Sequence, residues 1–130
     1  MSYQPQAGAV IYARDIIRIA KFYREILGFA EKYNGKDHIL LEIPGFQLVV
    51  HSIPPDIAET IEITDPPQLR EESAVKLVFY IPSIHAIRQA SINLGGGLNP
   101  PEMEWQFAGN NVCDGYDPEG NMIQVRERSG

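Results

Sequence analysis

Two stretches of this chain share one pattern of apolar and polar positions. Around residues 9–13 the pattern has a period of two, with Ala9, Ile11 and Ala13 on one side and Gly8, Val10 and Tyr12 on the other. It then changes to helical spacing, with Ile16, Ile19, Ala20, Tyr23, Ile26 and Leu27 on one stripe. The first period predicts a strand with two unlike faces and the second an amphipathic helix. Asp15 stands where a helix N-cap is needed, because its carboxylate can accept an orphan backbone N–H. Gly28 can take the left-handed conformation that ends a helix. Residues 77–96 repeat this plan 68 positions later, so that Tyr12 falls on Tyr80, Asp15 on Ser83, Ile19 on Ile87, Ile26 on Leu94 and Gly28 on Gly96. A period this long is not that of a solenoid. It predicts two half-modules.

The segments after each helix complete the two modules. Residues 29–33, 38–43 and 46–51 read as strands separated by turn signals at Asn34-Gly35 and Pro44-Gly45. In the second half, residues 76–81 form the strand before the helix, and residues 103–107, 112–116 and 122–126 follow it as strands, with turns at 108–111 and 117–121. The predicted fold class is therefore α+β: two βαβββ half-modules, residues 7–53 and 74–128, forming a concave mixed sheet in a single domain of residues 1–130. Residues 54–73 are expected to be a connector. Pro54, Pro55, Pro66 and Pro67 interrupt regular structure there, and Asp56, Glu59, Glu62, Asp65, Glu71 and Glu72 make it a solvated acidic stretch, with one short strand or helical turn within residues 57–63. Residues 1–8 are read as a polar lead-in.

Charge and composition narrow the function. The formal net charge is −6, which argues against nucleic-acid binding, since phosphate attraction needs a basic surface. No apolar run is long enough to span a membrane, and the first residues lack the basic and apolar regions of a secretory signal. The expectation is a cytoplasmic protein with no membrane partner. Cys113 is the only cysteine, so neither an internal disulfide nor a multi-cysteine metal site is available.

The motif Asp15, then Phe22-Tyr23, then Ile26-Leu27-Gly28-Phe29, together with the closing Asp117-Pro118-Glu119-Gly120-Asn121-Met122-Ile123-Gln124, resembles the vicinal oxygen chelate superfamily. That group includes glyoxalases, bleomycin-resistance proteins and extradiol dioxygenases. The resemblance covers nearly the whole chain and implies the same βαβββ–βαβββ order. It also implies where metal ligands would stand: on the first and last strands of each half, at Gly8, Val49, Lys76 and Gln124. Glycine and valine offer no donor, lysine must lose a proton first, and glutamine binds only through its amide oxygen. No metal and no other cofactor is therefore expected. The one alternative ligand set the residues offer is His51 with Gln124 and a carboxylate such as Glu42. His38, near a turn, and His85, early in a helix, are read as surface residues, and Cys113 as a small buried side chain.

Strand alternation places Tyr12, Val49, His51, Lys76, Val78, Tyr80, Met122, Gln124 and Arg126 on the concave face, with Trp105 and Phe107 as further candidates. Aromatic walls with a few polar groups suit a small organic molecule. The candidate ligand-binding residues are Tyr12, His51, Lys76, Tyr80, Trp105, Gln124 and Arg126, and Lys76 with Arg126 favours an anionic ligand. The expected function is metal-free small-molecule binding of the glyoxalase/bleomycin-resistance type, in a homodimer on that resemblance. The alternative is an enzyme of the same superfamily. It would be either metal-dependent with displaced ligands or a metal-free acid–base catalyst using His51, whose ordinary pKa suits that role.

Overall fold

The computed structural model describes residues 4–129. Of the polar lead-in expected over residues 1–8, the first three lie outside the described residues. The chain forms two compact units that meet in sequence between Ile63 and Thr64.

The first unit runs β1 (Ala7–Ala13), α1 (Ile16–Leu27), β2 (Ala30–Asn34), β3 (His38–Ile43), β4 (Phe46–Ser52) and a single helical turn, α2 (Pro55–Ala58). Its sheet has the order β1-β4-β3-β2, with β1 parallel to β4 and the remaining pairs antiparallel. Asp15 caps α1 by accepting from the Arg18 N–H at 3.1 Å, and Gly28 ends it at φ 78°. The helix lays Ile19, Ala20, Phe22, Tyr23, Ile26 and Leu27 against β3 and β4. Ile39, Leu41, Leu48 and Val50 meet it from the sheet and are fully buried. Their neighbours along the strands point the other way and are not covered by the helix.

Two boundaries in this unit differ from the sequence pattern. β1 begins two residues before residue 9, because Ala7 and Gly8 join the ladder beside Phe46 and Gln47. A Cβ at Gly8 would stand 2.8 Å from the Gln47 carbonyl oxygen, so only glycine permits this pairing undisturbed. Asn34-Gly35 does not form the two-residue hairpin turn expected of it. β2 continues through Asn34, and the loop is Gly35 to Asp37, closed by Gly35 N–H donating to the His38 carbonyl at 2.9 Å.

The second unit runs β5 (Leu77–Tyr80), α3 (Ile84–Asn93), β6 (Gly97–Leu98), a 3-10 turn (Pro101–Met103), β7 (Trp105–Phe107), β8 (Asn110–Tyr116) and β9 (Met122–Arg128). The order is β5-β9-β8-β6, with β7 also pairing β8 and β5 parallel to β9. Ser83 caps α3 by accepting from the Ala86 N–H at 3.1 Å. The strand expected at residues 103–107 is shortened to β7, because the 3-10 turn takes up Met103. A second short strand, β6, which the sequence pattern did not predict, precedes Pro100 and Pro101, and β6 and β7 each pair with part of β8. Phe79, Ile84, Cys113, Ile123 and Val125 form the core of this unit.

The segment expected to be a solvated connector is partly built into the units. Pro67 is buried. The Arg70 N–H donates to the Gly120 carbonyl at 2.9 Å, which docks residues 64–73 on the turn at 117–121. That turn is held by Asp117, whose carboxylate accepts from the N–H groups of Glu119 (2.9 Å) and Asn121 (3.1 Å) and from the Asn121 amide (2.8 Å). Among the described residues, no helix is long and apolar enough to cross a membrane.

Gly120 and Gly109 both have positive φ, 85° and 80°, but only Gly120 has a neighbour where a Cβ would go, the Gln68 carbonyl oxygen. Gly109→Ala is expected to cost about 1 kcal/mol of backbone strain. Gly120→Ala is expected to cost about 3 kcal/mol or more, because the docked Gln68 backbone must also move. Urea denaturation of the two variants measures the difference, and equal losses would mean that the docking of residues 64–73 carries no stability.

Candidate functional site

Strand register puts the same rows of side chains on the open face of both sheets. In the first unit Tyr12 lies beside His51 and His51 beside His38; one step along are Val10, Val49 and Leu40. In the second unit Tyr80 lies beside Arg126 and Arg126 beside Val112; one step along are Val78, Gln124 and Asp114. Tyr12 thus corresponds to Tyr80, His51 to Arg126, Val49 to Gln124 and Leu40 to Asp114. The two modules share a backbone plan and differ in chemistry.

In the second unit this face carries a continuous polar chain. The Lys76 ammonium pairs with Asp114 Oδ2 at 3.0 Å. Gln124 Nε2 donates to Asp114 Oδ1 at 3.1 Å, and Arg126 Nε donates to Gln124 Oε1 at 2.8 Å. Arg126 Nη1 donates to the Tyr80 hydroxyl at 3.3 Å. These partners fix the Gln124 amide, because flipping it would set its NH2 against the guanidinium and its oxygen against the carboxylate. Gln124 is only 9% exposed, yet both ends of its amide are satisfied. The Arg126 guanidinium also sits 5.0 Å from the centre of the Phe107 ring and 5.8 Å from that of Tyr80. It has no carboxylate partner among the described residues. Arg126, Arg128, Tyr80 and Asn110 line an open cavity of 770 Å³. Trp105 and Phe107 stand exposed on the same face.

Asp114 was not among the residues the sequence pattern singled out. An acid in mid-strand, flanked by residues that alternate into a core, signals a partner on the open face, and the partners are Lys76 and Gln124. Lys76 itself precedes β5 rather than lying in the strand. Its charge is met by Asp114, so it does not act jointly with Arg126 as the sequence suggested.

In the first unit the open face carries rings. Tyr33, His38, His51 and Tyr12 follow one another across β2, β3, β4 and β1, with centroid separations of 4.9, 6.0 and 5.6 Å. His38, expected at the surface, is half-buried within this row because it is the register partner of His51. Asp37, His38, Leu40, Gln47, Val49 and His51 line a groove of 490 Å³. His85 is exposed on α3, as its position predicts. Glu42 shares the open face with His38 but pairs with Gln47, four residues from the His38–His51 pair. At strand rise that is about 13 Å, so Glu42 and His51 do not form the ligand pair considered from sequence.

The four positions that the resemblance assigns to metal ligands do not fit a divalent cation. Gly8 has no donor, and a longer residue there would meet the Gln47 carbonyl. Val49 has none either. Lys76 is held by Asp114, and both ends of the Gln124 amide are taken. Among the described residues, no group of three or more His, Cys, Asp or Glu side chains is arranged to hold a metal ion.

Cys113 is buried on the helix side of β8. Burial pushes its thiol above the ordinary range, and the Arg88 guanidinium only partly opposes this. That is the environment of an inert thiol rather than a nucleophile. Burial also works against the charge of Arg88, but its hydrogen bond and ion pair with Glu104 outweigh that and hold it above its ordinary value.

Three solved structures place this architecture. A glyoxalase/bleomycin resistance protein/dioxygenase family enzyme from Burkholderia phytofirmans PsJN is 16% identical, over 96% of this chain and 99% of that one, with a TM-score of 0.67. A glyoxalase/bleomycin resistance protein from Albidiferax ferrireducens T118 is 22% identical over 94% and 97%, with a TM-score of 0.64. A glyoxalase-related enzyme from Fulvimarina pelagi is 18% identical over 96% and 88%, also with a TM-score of 0.64. No family model and no curated protein matches the chain by sequence. The chain shares its fold with these three structures.

The polar chain makes a quantitative contrast. Asp114→Ala removes the acceptor of the buried Gln124 amide and is expected to cost about 1–3 kcal/mol. Lys76→Ala removes one end of a half-exposed ion pair and is expected to cost under about 1 kcal/mol. Thermal or urea unfolding of both variants checks this, and equal small losses would show that the chain does not order this face.

Proposed function

We propose that this protein binds a small organic anion on the open face of its second unit, with Arg126 as the anchor for the anionic group. The observation that carries this reading is the state of Arg126. Arg126 is aimed by Gln124 and Tyr80, lies near two aromatic rings, borders a cavity and has no carboxylate of its own among the described residues. A guanidinium held in this way offers its remaining N–H groups to a planar carboxylate. Trp105, Phe107 and Tyr80 supply exposed aromatic surface for the organic part of the ligand. The reading is binding without metal chemistry at the four superfamily positions, because the residues there lack suitable donors. Tyr80, Trp105 and Arg126 are the residues we assign to contact with the ligand; Gln124 aims Arg126, and Lys76 acts through Asp114 by orienting the chain that ends at Arg126.

Trp105 is the only tryptophan, so its fluorescence reports on this face alone. Aromatic carboxylates are expected to quench it saturably, and their neutral amides much less. Arg126→Gln is expected to weaken carboxylate binding about tenfold or more, the scale of one lost charge-assisted pair. Lys76→Met is expected to have a smaller effect. Carboxylates and amides that bind alike, or an Arg126→Gln variant that binds as the parent does, would overturn the assignment.

A further inference from the structure

We propose that His38 and His51, on the open face of the first unit, form a two-histidine site for a divalent cation of the zinc class. The two residues are register partners on antiparallel strands. That arrangement brings Cβ atoms within about 4.5–5.5 Å of each other. Their rings lie 6.0 Å apart and within 8° of parallel. Neither stands at a position that the superfamily resemblance assigns to a ligand.

The hydrogen bonds fix which nitrogen is free. His38 Nδ1 lies 2.8 Å from Asp37 Oδ1, and His51 Nδ1 lies 2.8 Å from the Ser52 carbonyl oxygen. An ionised carboxylate and a carbonyl only accept, so each Nδ1 carries the proton. In the neutral imidazole the lone pair is then on Nε2. Among the described residues, neither Nε2 has a protein partner, and both side chains line the groove. A histidine whose Nδ1–H is given to a carboxylate or a backbone carbonyl is oriented to ligate through its other nitrogen. The groove lining contains Asp37 and no lysine or arginine, so its local charge favours a cation.

Joint ligation needs some movement. With metal–nitrogen bonds of about 2.0–2.1 Å and a tetrahedral angle, the ring centres stand about 5 Å apart. The rings must therefore close by about 1 Å and tilt toward each other, which the broad χ2 torsion of histidine allows. Two protein donors leave the remaining positions to water, which makes the site exchangeable rather than structural. Imidazole donors select zinc, nickel or copper over magnesium or calcium.

The test is a titration of the chelator-treated, tag-free protein with Zn2+, followed by the imidazole NMR signals of all three histidines. His38 and His51 are expected to shift together and saturate at one ion per chain, with His85 unmoved and Mg2+ without effect. His38→Gln and His51→Gln are each expected to lower the calorimetric affinity at least tenfold, and Asp37→Asn to lower it by about 10–100-fold, the range for an orienting partner of a ligating histidine. No imidazole shift in the parent protein, a shift of His85 alone, or glutamine variants that bind Zn2+ like the parent would overturn the proposal. The parent titration needs no variant, so misfolding cannot hide a negative result. The readout is also separate from Trp105, so this site can fail while the anion site stands.

Discussion

Everything on the open faces depends on one constraint: each sheet is covered by a helix on one side only. Because side chains alternate along a strand, that single layer of cover divides every strand into two kinds of position. In β4, Leu48 and Val50 are sealed under α1, while Gln47, Val49 and His51 point away from it. In β9, Ile123 and Val125 are sealed, while Gln124 and Arg126 point away. The positions under the helix must be apolar, since an unpaired polar group buried there would cost about 1–3 kcal/mol. Most positions facing away are free of that demand; Val112 and Gln124 are the buried side chains there, one apolar and the other with both ends of its amide satisfied. Chemistry can therefore change on the open face without a new fold, and the two modules of this chain have taken that freedom in different directions.

The parts of the structure legible in the sequence are those set by local rules. Both helices, their Asp15 and Ser83 caps and the Gly28 stop followed from spacing and capping chemistry, and strand alternation assigned Tyr12, Val49, His51, Tyr80, Gln124 and Arg126 to one face of their sheets. The parts that were not legible depend on partners distant in sequence. His38 looks like a turn residue until β3 is set in register with β4, where it stands beside His51. Asp114 has no visible purpose until β8 is placed beside β9 and next to Lys76, 38 residues away. Tertiary pairing also overrode the Asn34-Gly35 turn signal and drew part of the acidic connector onto the Asp117 turn. These are failures of range rather than of the local rules.

The comparison of the modules separates what the backbone repeats from what it does not. Tyr12 and Tyr80 are equivalent and both exposed, but their neighbours on the next strand are His51 and Arg126. One step along, Val49 beside Leu40 corresponds to Gln124 beside Asp114. The first module therefore presents an apolar middle with imidazoles at one end, and the second a polar chain that ends in a guanidinium. The matched positions of the two modules carry unmatched chemistry. The residues at Gly8 and Val49 cannot supply a donor, and those at Lys76 and Gln124 are committed to Asp114 and Arg126. A glutamate at position 124 would not by itself make a metal site of the second module. That carboxylate would face Asp114 at the distance where Gln124 now donates, and two carboxylates so placed resist joint ionisation. Asp114 and Gln124 are thus a matched pair: the amide is the group of that size that can give a hydrogen bond to the acid and accept one from Arg126. This is why the polar chain, rather than any single residue in it, is the unit that defines the second module's surface.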